Sequence, residues 1–204
     1  STIEFWINPI AVDAYDPLFM RYGTSGNYDH WCQLETVTGG IRISWWRYAS
    51  SDSTVSTCQT SAGVVKVGEW QHLAFVQTGT THKIYVNGKE EASVTASGTI
   101  NHTANTPLVF GHIQSYHLNA YIDEIRIVKG TNGTNGAVYT GDFTVPTSRL
   151  SKTQSAGTNI SAITGTATKL LIHSNKSYDS SSSNHDVISR GAIQKSQTSN
   201  RGSG

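Results

Sequence analysis

Glu69-Trp70-Gln71-His72-Leu73-Ala74-Phe75-Val76-Gln77-Thr78-Gly79-Thr80-Thr81-His82-Lys83-Ile84-Tyr85-Val86-Asn87-Gly88-Lys89 decides the fold. It holds two short strand-like runs, 70–77 and 81–87, parted at Gly79 and closed by Asn87-Gly88. Asn-Gly suits a two-residue hairpin because both residues tolerate positive φ. Outward from this hairpin the same chemistry repeats. In 2–8, Ile3, Phe5 and Ile7 alternate with Glu4, Trp6 and Asn8. That period of two is the mark of a half-buried strand. Further strands are expected over 17–22, 29–36, 40–48, 54–59, 90–96, 107–113 and 119–128. Gly23 to Asn27, Gly39-Gly40 and Ser50 to Ser53 supply the turns. Short strands at such spacing predict a two-sheet sandwich or barrel. No 3.6-residue amphipathic period competes with them.

Three blocks carry a resemblance: Ser1 to Pro9, Glu69 to Lys89, and Tyr121-Ile-Asp-Glu-Ile-Arg-Ile-Val-Lys-Gly130. In this order and spacing they resemble the laminin-G-like branch of the concanavalin A-like lectin/glucanase superfamily. The implied fold is all-β, a two-sheet antiparallel β-sandwich of concanavalin A-like jelly-roll type. The Lys169-Leu-Leu-Ile-His-Ser-Asn175 segment also resembles the start of tandem repeats in structural and tail proteins of marine bacteriophages.

The expected organisation is a laminin-G-like sandwich over 1–147 and a Ser/Thr/Gly-rich linker over 148–168. A strand segment over 169–194 follows, and 195–204 is expected to be a disordered tail. In relatives a strand like Lys169 to His173 and a turn like Asp179 to His185 precede the Phe-Trp strand; here they follow it. Two readings stand. The segment completes this sandwich, as a circular permutation would, or it opens a second repeat. The first is favoured, because an open sheet edge and a bare Leu170-Leu171-Ile172 strand are both costly. Leu170 and Ile172 are expected to be the buried face, with Leu171 only partly covered.

Composition narrows the function. The 204 residues carry a net charge of +1 with 14% charged side chains, so a basic nucleic-acid surface is not expected. No apolar run of 18 residues exists, so no membrane insertion is expected. The chain opens directly in a strand-like pattern and reads as a piece of something longer. Its Ser/Thr/Gly/Asn-rich texture predicts an extracellular or virion setting. Cys32 and Cys58 fall on the first and third strands of a meander, about 9.6 Å apart at usual strand spacing. A disulfide needs Cα atoms within about 7 Å, so free, half-buried thiols are expected.

Two constellations could carry function. On the strand from Gly40, Ile41, Ile43 and Trp45 share one face, and Arg42, Ser44, Trp46 and Tyr48 the other. An aromatic beside Arg and Ser can stack on a sugar's C–H face while polar groups read hydroxyls. Arg42, Ser44, Trp46 and Tyr48 are therefore a candidate glycan platform; the alternative is a Trp covered by a loop or by the docked C-terminal strand. On 121–128, Tyr121, Asp123, Ile125 and Ile127 are expected to share an apolar face. A carboxylate buried there needs a partner. Relatives often bind calcium, so Asp123, Asp179 and Asn184 are candidate Ca²⁺ ligands; the alternative is that Asp123 anchors a loop and Asp179 caps a turn.

Glycoside hydrolysis needs two carboxylates flanking the bond. The Glu-x-Asp-x-x-Glu run of glucan-cleaving relatives is absent, and the eight histidines show no shared metal spacing. The expectation is a non-catalytic binding or adhesion module for a cell-surface glycan, within a larger virion or cell-surface protein. The alternative is a structural spacer repeat that contacts neighbouring copies.

Overall fold

The computed structural model describes residues 1–22, 28–50, 53–98, 107–130, 136–173 and 178–185. The strands, in chain order, are β1 (Thr2–Pro9), β2 (Asp16–Tyr22), β3 (Tyr28–Val37), β4 (Gly40–Ser50), β5 (Ser53–Gln59), β6 (Gln71–Thr78), β7 (Thr81–Val86) and β8 (Lys89–Thr95). They continue as β9 (Leu108–Phe110), β10 (His112–Ile113), β11 (Tyr116–His117), β12 (Ala120–Val128) and β13 (Thr168–Ile172). A six-stranded sheet runs β13-β12-β1-β6-β7-β8 and a five-stranded sheet β5-β4-β3-β2-β9; β10 and β11 form a separate hairpin. All pairings are antiparallel. The protein is an antiparallel β-sandwich.

The inward residues of both sheets make the first core. Ile3, Phe5, Ile7, Leu73, Phe75, Ile84 and Val86 meet Phe19, Cys32, Leu34, Ile43, Trp45 and Cys58. Phe19 sits edge-on to Phe75 at 4.8 Å and holds the two sheets together there. Cys32 and Cys58 flank Trp45 in register and are free. Expected half-buried, they are fully buried, because both point between the sheets.

The hairpin between β7 and β8 turns on Asn87 (φ 50) and Gly88 (φ 81). Gly88 has a second reason to lack a side chain. A Cβ there would meet the Phe143 carbonyl oxygen at 2.1 Å. The Phe143 N–H in turn donates to the Gly88 carbonyl at 2.8 Å.

That contact belongs to a third layer. Residues 136–167 lie across the outward side of the six-stranded sheet. Val138, Tyr139, Phe143, Ile163 and Ala167 pack on Ala74, Val76, Tyr85 and Val128, the residues that alternate with the first core. The stretch 148–168, expected as a linker, is mostly exposed but is pinned to the sheet at Leu150, Ile163, Ala167 and Thr168. It carries short bridges at Gln154–Ile163 and Gly157–Ile160.

β13 pairs antiparallel with β12, Ile172 opposite Ile125 and Leu170 opposite Ile127. Its burial corrects the sequence expectation: Leu171 is buried, while Leu170 and Ile172 are half-buried. Leu170 and Ile172 do face inward, but at the rim of the sheet. Leu171 lies under the segment carrying Asp179 and Ser180. The expected strand over Val187 to Ile193 and the 195–204 tail lie outside the described residues.

A bulge corrects the face assigned to Asp123. The β1–β12 register shifts between Glu4 and Trp6, and Glu124 takes φ 56. The extra residue inverts the alternation. Ile122 pairs with Ile7 and packs on the inner core, while Asp123 lies opposite Trp6.

Candidate functional site

The expected glycan-platform residues lie on the outward side of the five-stranded sheet, where Arg42, Trp46 and Tyr48 are half-buried and Ser44 is fully buried. Arg42, Ser44, Trp46 and Tyr48 alternate along β4, opposite Glu35, Gln33 and Trp31 on β3 and Gln59 and Thr57 on β5. Their polar atoms form a continuous ladder. Trp31 Nε1 donates to Gln33 Oε1 at 2.6 Å, and Gln33 Nε2 to Glu35 Oε1 at 2.8 Å. Glu35 Oε2 accepts from Arg42 Nε at 2.6 Å and from Ser44 Oγ at 3.0 Å. Gln59 Nε2 closes the series on Ser44 Oγ at 2.9 Å.

Trp31 and Trp46 stand opposite one another, edge to face, with centroids 6.4 Å apart. Both are half-buried. Tyr48 is half-buried too, further along β4 towards the Thr54 end of β5. Such a surface presents two indole rings whose neighbours are fixed by mutual hydrogen bonds, so little side-chain entropy remains to be lost on binding.

Trp31, Gln33, Glu35 and Gln59 were missed by sequence reasoning. The signal was available. A three-strand meander was legible, and stepping by two along β3 places Trp31, Gln33 and Glu35 opposite Trp46, Ser44 and Arg42.

The candidate calcium ligands are differently placed. Asp179 Oδ1 accepts the N–H groups of Leu171 and Ser181 at 2.9 and 2.8 Å; Oδ2 accepts Ser181 Oγ and the His185 N–H at 2.8 and 2.9 Å. Burial alone would raise its carboxyl, but these backbone donors hold it below the ordinary value. Together with the Ser180 N–H on the Leu171 carbonyl, the turn caps the free edge of β13. Asp123 Oδ1 accepts the Glu124 N–H at 2.7 Å, inside the bulge. Asn184 is exposed at φ 47. No group of three or more His, Cys, Asp or Glu side chains stands ready for a metal among the described residues. In this arrangement Asp179 caps an edge and Asp123 anchors a bulge.

The strongest electrostatics lie instead under the strap. Glu4 is fully buried. Its Oε1 pairs with Arg126 Nε and Nη2 at 2.8 and 2.7 Å; its Oε2 accepts the Tyr139 hydroxyl at 2.6 Å and faces His72 Nε2 at 3.1 Å. Burial raises the Glu4 carboxyl, but Arg126, His72 and Tyr139 outweigh it and bring it down to about 2. Arg126 also donates to the Ser151 carbonyl and to Gln154 Oε1. This cluster ties the strap to the sheet and is closed to ligands.

With the geometry in place, comparison identifies the family. A laminin-G-type family model, that of the concanavalin A-like lectin/glucanases superfamily, matches residues 1–135. The chain belongs to this superfamily. No curated protein matches it in sequence. Solved concanavalin A-like folds similar to it include a provisionally described carbohydrate-binding protein from Bacteroides ovatus (TM-score 0.50, 14% identity, 87% of this chain and 46% of that one). Domain 4 of an extracellular arabinanase from Geobacillus stearothermophilus, solved with arabinotriose, gives TM-score 0.44 and 19% identity over 61% of this chain and 57% of that one. A pentraxin from Limulus polyphemus gives 0.47 and 13%, over 61% of each chain. The chain thus spans about half to three-fifths of these proteins, and likeness at this identity concerns the fold alone.

Proposed function

We propose that the chain is a non-catalytic carbohydrate-binding module whose ligand lies across the outward side of the five-stranded sheet. The observation that carries this is the Trp31/Trp46 pair beside the Gln33–Glu35–Arg42–Ser44–Gln59 ladder. Indole faces take the C–H side of a sugar ring, and the half-exposed Arg42 and exposed Gln59 take its hydroxyls, held in place by the buried Gln33, Glu35 and Ser44. An amphipathic, partly exposed aromatic surface of this kind marks a binding site.

The same geometry argues against glycoside hydrolysis. Glu35 is the carboxylate woven into this ladder, and three side-chain donors hold it. A hydrolase requires a carboxyl free to protonate a leaving group and a second one across the bond. Residence in a larger virion or cell-surface protein is part of the proposal and rests on the Ser/Thr/Gly/Asn-rich composition.

The test is a glycan array with the intact chain, alongside Trp31→Ala and Trp46→Ala. Binding by the intact chain, reduced at least about tenfold by either substitution, is the expected result; loss of one aromatic stacking platform is worth roughly 1–3 kcal/mol in comparable base-stacking sites. Absence of any binding, or binding indifferent to both tryptophans, would overturn it.

A further inference from the structure

The chain distributes its exposed apolar side chains unevenly. Among the described residues the large exposed ones are Ile10, Tyr15, Val67, Tyr116, Tyr121 and Tyr178. All but Tyr178 gather at the end of the sandwich where β1 runs out. Ile10 bonds the Asn119 carbonyl through its N–H, Gly68 beside Val67 bonds the Pro9 carbonyl, and Tyr121 lies opposite Asn8. The β10–β11 hairpin and the start of β2 close the same end, since Phe110 pairs with Phe19. Single exposed hydrophobics need no explanation, but a gathering of them on one end does.

Within this end lies a cleft of about 240 Å³, lined by Asp13, Ala14, Tyr15, Asp16, Ser115, Tyr116 and His117. Tyr15 and Tyr116 stand at right angles, centroids 6.3 Å apart and each about half exposed. Asp16 lies beneath the cleft, 2% exposed, its carboxyl raised by burial and held by backbone bonds at Asp13 and Asn119. Asp13, Ser115 and His117 are the exposed polar side chains of the lining. The cleft falls short of the roughly 300–1,000 Å³ of sites that take drug-sized ligands. It is sized for one ring.

We propose that this cleft is a second carbohydrate subsite, one that takes a single sugar residue such as the end of a chain. The proposal rests on the glycan-binding reading above and adds a place that reading does not use: no lining residue belongs to the Trp31–Gln59 ladder. One tyrosine offers its face to the ring's C–H side and the other its edge. Asp13, with Ser115 and His117, receives and donates the hydroxyl hydrogen bonds. The chain would then hold the body of a glycan on the sheet and a terminal residue at the end of the sandwich.

The test is an amide ¹H–¹⁵N titration of the full chain with methyl glycosides of glucose, galactose, mannose, N-acetylglucosamine and arabinofuranose. The expected result is that at least one shifts the resonances of 13–16 and 115–117. The affinity should fall at least tenfold in Tyr116→Ala and in Tyr15→Ala, and be unchanged in Trp46→Ala. Both tyrosines are exposed, so neither substitution endangers the fold; matching spectra outside the cleft verify that. Silence of the cleft with all five glycosides, or affinity indifferent to both tyrosines, overturns the proposal. The two readings fail separately. Array binding that needs Trp46 with a silent cleft sinks only this one, while cleft binding with no Trp46-dependent ligand sinks only the sheet-face site.

Discussion

The two sheets turn very different outer faces to their surroundings. On the six-stranded sheet the outward residues are covered by the 136–167 strap, and at their centre Glu4, Arg126, His72 and Tyr139 satisfy one another. On the five-stranded sheet the outward residues bond to each other along the surface, leaving two indoles half open. Both faces read in the sequence as polar residues alternating with apolar ones. The difference lies in what the polar residues do. A face destined for cover concentrates charge and hands hydrogen bonds upward, as Arg126 does to Ser151 and Gln154. The outer face of the five-stranded sheet instead spreads its bonds sideways, from the Glu35–Arg42 pair to Gln33, Ser44 and Gln59, and leaves its indoles half open.

The largest test of this contrast removes the cover. A chain ending at Ser148 loses β13, Ile163 and the Ser151 and Gln154 acceptors of Arg126, and leaves β12 as an open edge. We expect it to lose cooperative thermal unfolding or to associate through that edge, read by circular dichroism and light scattering. A monomer as stable as the full chain would show that the cover is ornamental and that the C-terminal segment belongs elsewhere.

Next in size is the charge beneath it. Arg126→Met leaves the Glu4 carboxylate buried without its main partner, at a cost of about 3–5 kcal/mol in urea unfolding. The Arg126→Met/Glu4→Gln double variant should recover part of that loss, because the two residues act as a unit. Additive losses would mean that the pair is not coupled.

Acid distinguishes the covered face from the shared core. Glu4, held at about 2 against an ordinary 4.5, contributes stability that is present above pH 4.5 and lost as pH falls through about 2. His82 lies between the sheets, where burial first and Arg47 second bring it from 6.5 to about 4. Its folded value is depressed, so the stability it confers while neutral is present above pH 6.5 and lost as pH falls through about 4. His82→Gln should flatten the pH dependence of the melting temperature between 6.5 and 4 and leave the deeper Glu4 step in place. An unchanged slope would assign that window to another group.

The open face should respond in the opposite sense. Trp46→Ala is expected to change stability by about 1 kcal/mol or less, as outward substitutions commonly do, while losing glycan affinity. A large loss of stability there would make Trp46 a structural residue. The smallest expected effect is that of a chelator. Saturating EDTA should leave the melting temperature unmoved, since all four hydrogen bonds to Asp179 come from the protein itself. A drop of several degrees would instead support a bound calcium ion.

Much of the sandwich was legible because strand alternation and turn chemistry are local. Asn87-Gly88, Gly39-Gly40 and the Ile3/Phe5/Ile7 period speak for their own segments. The outer face of the five-stranded sheet was half legible, since Arg42, Ser44, Trp46 and Tyr48 share one strand, whereas Trp31 and Gln33 reach it only through register. The face of Asp123 was not legible, because one bulge residue, Glu124, reverses everything before it. Nor was the strap: Tyr139 and Ile163 look unremarkable in a Ser/Thr/Gly-rich stretch until the sheet they cover is known.

The position of β1 has a consequence for how the chain comes to fold. This first strand lies inside its sheet, between β12 and β6. Its Glu4 meets Arg126 across a sequence separation of 122 residues and Tyr139 across 135. Until Arg126 and Tyr139 have been made, the Glu4 carboxylate lacks both partners. Such distant pairings raise contact order, and proteins built on them fold in milliseconds to seconds rather than microseconds. β1 is made before both of its sheet neighbours, and its buried charge is matched only once β12 and the strap are in place.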